Sequence, residues 1–334
     1  MTEASNGVLN PTELDTANFS WRRFGGLWRT TGILIPFLVL FITLAIANGQ
    51  FLTRQNLVVN ILYLQAPILI IAAAGTLVLI AGGLDLSVAA TFVLAEDVAA
   101  GVALHSNPIF AVILALLCGA VVGLVNGFVV AYLRINALIA TLAMSFVVAG
   151  IAEVATNNTF YSLFDRPSLG KFATQDFLGA QSAIWIALVV VVILGLTLWR
   201  STFGRYVFAA GGNAEAARLA GVRVSRVRIT TFVLSGTAAA LAGVISLAQT
   251  LTTTPYSNES SLAFTVLAGI VVGGTSIVGG DGSVTRTVIG TLFIALIQNG
   301  FDLLQFNTFY IPLVTGVILI VAVSLDVWLR QRRR

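Results

Sequence analysis

Residues 200–228 read RSTFGRYVFAAGGNAEAARLAGVRVSRVR, the longest basic, water-compatible stretch in a chain otherwise built from apolar runs. Its centre specifies a short helix at both ends. Asn213 can cap the N-terminus, Glu215 falls in the first turn where negative charge suits the helix dipole, and Ala216, Ala217, Arg218 and Leu219 favour continuation. Gly221 stands where a left-handed C-terminal cap is wanted. So short a helix is marginal alone, because nucleation costs more than a few hydrogen bonds return. It is expected to be held against something. Six arginines surround it, at 200, 205, 218, 223, 226 and 228.

Hydrophobic residues fill 57% of the 334 positions and charged ones 10%, with a mean hydropathy of +0.96. Soluble domains carry about 25% charged residues, so this composition belongs in a bilayer. One cysteine, Cys118, and one histidine, His105, exclude a disulfide framework and any His/Cys metal cluster. The pI near 9.6 does not point to nucleic acid, because the basic residues flank apolar segments, the cytoplasmic-side bias of membrane proteins. Residues 1–20 are polar and aperiodic, without a detachable signal peptide, and are expected to form a disordered cytoplasmic tail.

A membrane span needs about 20 mostly apolar residues. Ten segments qualify: 31–48, 57–80, 84–104, 109–133, 137–155, 182–199, 229–251, 263–278, 286–305 and 309–328. The third opens on Asp85 and contains Glu96 and Asp97. The eighth is short and bordered by Gly273, Gly274, Gly279 and Gly280. Interrupted segments of this kind are expected to be broken or re-entrant. With ten spans both termini share a side, and that side holds 15 of the 18 Lys and Arg residues, leaving Arg54, Arg166 and Lys171 opposite. The positive-inside bias makes that side cytoplasmic. The expected organisation is a cytoplasmic tail (1–29), a transmembrane domain (30–328) with an inner loop at 200–228 and an outer loop at 156–181, and a basic cytoplasmic tail (329–334). The outer loop carries Tyr161, Phe164, Asp165, Arg166, Pro167 and Phe172, surface that suits either an external partner or a solvated connection.

No catalytic constellation is present. The one lysine, Lys171, lacks a GxxxxGK[ST] context, so this chain has no Walker A site and its transport energy must come from a partner or an ion gradient. His105 and Cys118 read as structural. Glu96 and Asp97 at mid-bilayer would each cost about 2.5–3.5 kcal/mol on the insertion scale. They point either to a polar pathway or proton relay, or to a helix broken near water or bonded to its neighbours. Gln65, Asp85, Ser87, Asn126, Thr141, Gln298 and Asn299, with Gln249 and Asp302, could line a route for a hydroxyl-rich solute, although each alone suits an interhelical hydrogen bond equally. GGLDLSV at 82–88 and GGDGSV at 279–284 look like tight turns feeding helices, with Asp85 or Ser283 as N-cap. Glycines at 119, 123 and 127 make a stripe on which another helix can approach closely.

Taken together, the chain resembles the integral-membrane permeases of ribose-type monosaccharide ABC importers over about residues 30–328. The resemblance rests on GGLDLSV (82–88), NALIATLAM (136–144), FGRYVFAAGGNAEAARLAGV (203–222), IVVGGTSIVGGDGSV (270–284) and IGTLFIALIQNGFDLL (289–304). It implies an all-α polytopic fold of about ten helices, of the type II importer permease kind. Within it, Glu215, Ala216, Ala217 and Gly221 fit the family's EAA-x3-G pattern, and with Gly211, Gly212, Asn213 and Arg218 would form the segment that docks on a cytoplasmic ABC ATPase. The resemblance further implies a second permease copy or paralogue, an ATPase with two fused nucleotide domains that alone holds ATP and Mg, and a periplasmic or lipid-anchored sugar-binding protein. The location it implies is the bacterial inner membrane. Ala89 stands in place of the family's Gly, Asp281 in place of a frequent Arg, and Glu96 and Asp97 fall where small or apolar residues are usual. The rival reading is a proton-coupled secondary transporter using Glu96, Asp97 or Asp302. It would explain the acids but not a capped helix in an arginine-rich loop.

Overall fold

The computed structural model describes residues 32–157, 159–165, 168–253 and 259–331. In chain order the helices are α1 (Gly32–Ala47), α2 (Gln55–Ile80), α3 (Val88–His105), α4 (Pro108–Ala131), α5 (Ala137–Thr156), α6 (Lys171–Thr174), α7 (Ser182–Arg200), α8 (Thr202–Gly212), α9 (Ala214–Leu219), α10 (Val224–Thr250), α11 (Glu259–Val272), α12 (Val284–Leu303) and α13 (Ile311–Gln331). Seven of them, α2, α3, α4, α5, α7, α10 and α12, have the length and apolarity to cross a membrane. The apolar stretches Gly32–Ala47, Ser261–Val272 and Thr308–Ser324 are shorter. One two-stranded hairpin, β1 (Asp176–Phe177) with β2 (Ala180–Gln181), lies between α6 and α7. The molecule is an all-α polytopic membrane protein.

All ten expected spans exist as helices, with shifted edges. The third helix begins at Val88, so Asp85 belongs to the turn before it, and the helix runs unbroken through Glu96 and Asp97. The expectation of a break at the acids is therefore wrong. The eighth segment stops at Val272, and 273–283 forms a glycine-rich loop. Helix α10 starts at Val224, about a turn and a half before the hydrophobic run that marks it in sequence.

Local chemistry explains these boundaries. Asn107 accepts from the Ile109 amide at 2.8 Å with Pro108 at the first helical position, and Asn136 accepts from Leu138 at 2.9 Å. Helix α2 opens as a π-helix over Gln55–Tyr63 and carries Pro67 inside its α-helical part. Proline has no amide to give to the carbonyl four residues back. That carbonyl, on Tyr63, instead accepts the Gln249 side-chain amide at 2.7 Å. Gln249 thus repairs a backbone deficit.

Helix α10 is the axis. It packs against α2, α3 and α4 and buries Ala239, Ala240, Ala242, Val244, Ile245 and Leu247 completely. The glycine stripe of α4 is the reason it fits. A Cβ on Gly123 would strike the Phe232 carbonyl and lie 2.8 Å from Val233 Cα, and one on Gly127 would lie 2.7 Å from Ile229 Cα. Outward faces of α4 and α5 remain apolar, with Ile113, Leu117, Val121, Ile139, Phe146 and Ile151 exposed as lipid-facing residues must be.

Helix ends alternate between two ends of the bundle. One gathers 81–87, 131–136, 200–223 and 273–283. The other gathers 48–54, 159–165, 168–181, 251–253 and 304–310, joined by the Asn48 bond to the Leu303 carbonyl (3.0 Å), the Arg54 bond to the Gly179 carbonyl (2.7 Å) and pairing of Leu163 with Leu251 (2.8 Å). The loop at that second end is a folded cover rather than a solvated connection, since Leu163, Leu169 and Ala173 are fully buried.

Gly123→Ala should cost about 1–3 kcal/mol through overpacking, because its new methyl meets α10 backbone, whereas Gly150→Ala, with nothing within 4 Å, should be neutral. Thermal unfolding of the two variants in detergent checks this. Equal midpoints would contradict the packing account.

Candidate functional site

The segment between α7 and α10 is almost wholly helical. Ser201 accepts from the Gly204 amide at 3.0 Å and starts α8, an element the sequence reading treats as loop because glycines at 204, 211 and 212 mask its periodicity. Asn213 then caps α9 as expected, its Oδ1 accepting from Glu215 and Ala216 at 3.1 and 3.0 Å. Glu215 in the first turn pairs with Arg218 at 3.0 Å. At the far end Gly221, with φ +84°, lets its own amide reach the Arg218 carbonyl and the Val222 amide reach that of Ala217, both at 2.9 Å. These two bonds satisfy carbonyls that a helix end otherwise leaves open. Ala217 is buried, while Leu219 at the tip is 85% exposed.

Gly82, Gly211–Gly212 and Gly279–Gly280 hold this segment against the bundle. The amide of Gly280 bonds the last carbonyl of α2, on Ile80, at 2.9 Å, and a side chain on Gly211 would run into that same carbonyl. A Cβ on Gly279 would lie 2.9 Å from Gly82 Cα, and one on Gly280 would lie 2.7 Å from Gly212 Cα. Sequence reading sees the glycines at 82–83 and 279–280 as separate tight turns and Gly211–Gly212 as part of the docking segment. They form one junction, where the end of α2, the end of α8 and the loop before α12 meet backbone to backbone.

Beside that junction, four of the expected pathway residues join in a single buried network. Asp85 Oδ1 accepts from the Ser87 amide (3.1 Å) and hydroxyl (2.7 Å), and Oδ2 accepts from Ser235 of α10 (2.8 Å). Asn126 of α4 donates to Ser87 Oγ at 2.7 Å. Thr141 of α5 accepts from the Leu86 amide at 3.1 Å, and its hydroxyl lies 2.8 Å from the Ala137 carbonyl and 3.1 Å from that of Leu84. Asp85 is therefore not the N-cap of α3. Ser87 occupies that position without a capping bond, and Ser283 does the same for α12. Asp85 also borders a small cavity lined by Ile71, Gly75, Leu79, Val266 and Ile270. Asp281 is explained as well: at 3.2 Å it pairs with Arg286, itself 8% exposed, and so ties the glycine loop to the first turn of α12.

The remaining candidates lie elsewhere and do not share this cavity. Gln65 donates to Gln298 at 3.2 Å, and Asn299 exchanges two bonds with Asn56, at 2.7 and 3.0 Å, so these amides link α2 to α12. Glu96 is fully buried in α3, and Asp97 accepts a hydrogen bond from Thr253 beneath the cover at the second end. His105 is exposed at the end of α3, and Cys118 is half-buried on α4.

A family described as the branched-chain amino acid transport system / permease component matches residues 57–323. The chain belongs to this permease family. It is 37% identical to the L-arabinose ABC transporter permease protein of Azospirillum brasilense, over 100% of this chain and 99% of that protein. It is 35% identical to the ribose import permease protein of Escherichia coli K12, over 88% of this chain and 92% of that protein, and 37% identical to the L-arabinose transport system permease protein of the same strain, over 93% and 94%. No solved structure matches.

In this permease the residues that sequence reasoning missed are Ser235, Asn56 and Thr253. Ser235 meets Asp85, Asn56 meets Asn299, and Thr253 meets Tyr161 and Asp97, pairings between elements distant in sequence. Gly221→Ala should leave the bundle intact, since nothing lies within 4 Å, yet cost about 1–2 kcal/mol for the left-handed backbone. Hydrogen exchange of amides 216–222 should then quicken about tenfold. In Gly211→Ala the Gly280 amide should lose protection instead. Unchanged exchange in both variants would count against the junction.

Proposed function

We propose that this permease forms the translocation pathway for a neutral monosaccharide or related polyol, as the membrane subunit of an ATP-binding-cassette importer in the bacterial inner membrane. Its relatives are named as arabinose and ribose permeases. The observation that carries the reading is α9: a six-residue helix capped at both ends, ringed by arginines and following directly on the end of α8 that meets α2 and the loop before α12. A docked ATPase moving α9 would move those helix ends, because glycine backbones in direct contact leave no compliant side chains between them.

The end bearing the arginines is the cytoplasmic one on charge grounds, and both termini lie there. Residues 1–29 and 329–334 are cytoplasmic tails flanking a transmembrane domain. The other end exposes Phe160, Phe164, Phe177 and Leu178 on its folded cover, apolar surface that suits an external sugar-binding protein. A second permease, as copy or paralogue, completes the pathway, and ATP with Mg resides on the ATPase, whose two nucleotide domains are fused. The only lysine, Lys171, sits in α6 of the outer cover, and Arg286 is already paired with Asp281. Away from the arginine-bearing end, an anion stripped of water inside the bilayer would go uncompensated, at about 2.5–3.5 kcal/mol or more.

The permease should co-purify with an ABC ATPase and, reconstituted with that ATPase and the binding protein, take up an uncharged sugar on ATP addition. The doubly neutralised Glu96→Gln, Asp97→Asn variant should keep that uptake. Uptake by the permease alone under a pH gradient, lost in the neutralised variant, would replace the importer reading with proton coupling. A carboxylated or phosphorylated ligand as the binding protein's tightest partner would overturn the neutral-solute assignment.

A further inference from the structure

Arg228 lies in the second turn of α10, where that helix leaves the segment bearing α9. Its Nη2 rests against Gly82 of the glycine junction, 3.7 Å from where a Cβ on that residue would be. Its Nε is buried and meets no hydrogen-bond acceptor among the described residues. Among the described residues, carboxylates pair with Arg54, Arg218 and Arg286, and none pairs with Arg228. The charged neighbour that acts on it is another cation, Arg218, whose own carboxylate partner is Glu215.

A guanidinium half withdrawn from water, with a donor that no described residue satisfies, gains from an incoming charged acceptor. We propose that a carboxylate of the docked ATPase is that acceptor, entering beside α9 and forming a desolvated pair with Arg228 that ties the ATPase directly to α10. This rests on the importer reading above. A carboxylate on protein is favoured over a lipid phosphate by Leu219: an apolar side chain left 85% exposed at the tip of α9 calls for a complementary protein pocket. The exposed Arg205, Arg223 and Arg226 would serve a phosphate surface without any buried guanidinium. Their role is to steer an acidic partner face, whereas Arg228 holds it. Because α10 packs on α2, α3 and α4, a force applied at Arg228 reaches the centre of the bundle without passing through α9.

The test uses the full-length permease in nanodiscs and the ABC ATPase that co-purifies with it. Arg228→Gln should weaken ATPase binding about tenfold or more, Arg228→Lys should lie between, and the exposed control Arg226→Gln should change it less than about threefold. From the other side, replacing acidic residues of the ATPase docking face one at a time by Asn or Gln should reveal one that reproduces the loss and adds nothing further to Arg228→Gln. That arm uses the unaltered permease and decides the matter even if the Arg228 variants fold poorly. The proposal fails if no acidic substitution reproduces the loss, or if well-folded Arg228→Gln binds as tightly as the parent. It fails equally if the Arg228→Gln deficit occurs only in discs containing phosphatidylglycerol and vanishes in pure phosphatidylcholine. If the unaltered permease binds no ABC ATPase at all, the importer reading itself falls.

Discussion

Backbone contact without intervening side chains, at Gly82, Gly211–Gly212 and Gly279–Gly280, is the constraint on which the arginine-bearing end of the molecule depends. The Gly280 amide satisfies the open carbonyl at the end of α2, and that bond exists only because Gly211 presents no methyl group to the same carbonyl. Three chain segments separated by more than sixty residues are thereby fixed within contact of one another. A side chain at any of these positions would force apart elements that the rest of the fold holds together.

The polar residues of the interior follow from the same setting. In a membrane an unsatisfied donor or acceptor costs several kcal/mol, and several buried groups complete one another across helices. Asp85 gathers Ser87 and Ser235, Thr141 serves the backbone of the turn before α3, and Gln249 closes the gap that Pro67 opens in α2. Most residues that look like pathway polarity in sequence are engaged in holding helices together. Asp85 does this while also facing the cavity between α2 and α11.

Arrangement at the two ends differs in kind. At the junction the elements meet through glycine backbone and a capped short helix, a rigid connection suited to transmitting displacement. At the other end a folded cover is pinned by the Arg54 bond to Gly179 and by strand-like pairing of 161–163 with 251–253, and it presents aromatic surface outward. A molecule built this way has one face fit to receive force and another fit to receive a partner.

Much of this was legible in the residues themselves. Ten apolar runs, the Asn213 and Gly221 caps and the Gly119, Gly123 and Gly127 stripe are local or periodic features, set by helix hydrogen bonding and by the length a bilayer demands, and each recurs in the structure. Helix α8 escaped notice because glycine lowers helix propensity while Ser201 and the junction supply what propensity lacks. The unbroken course of α3 through Glu96 and Asp97, the convergence of the junction glycines, the Asp281–Arg286 pair and an Arg228 Nε that no described residue satisfies were decided by tertiary structure alone. Each depends on which distant groups arrive beside a residue, and a linear pattern carries the need for a partner but not the partner's identity.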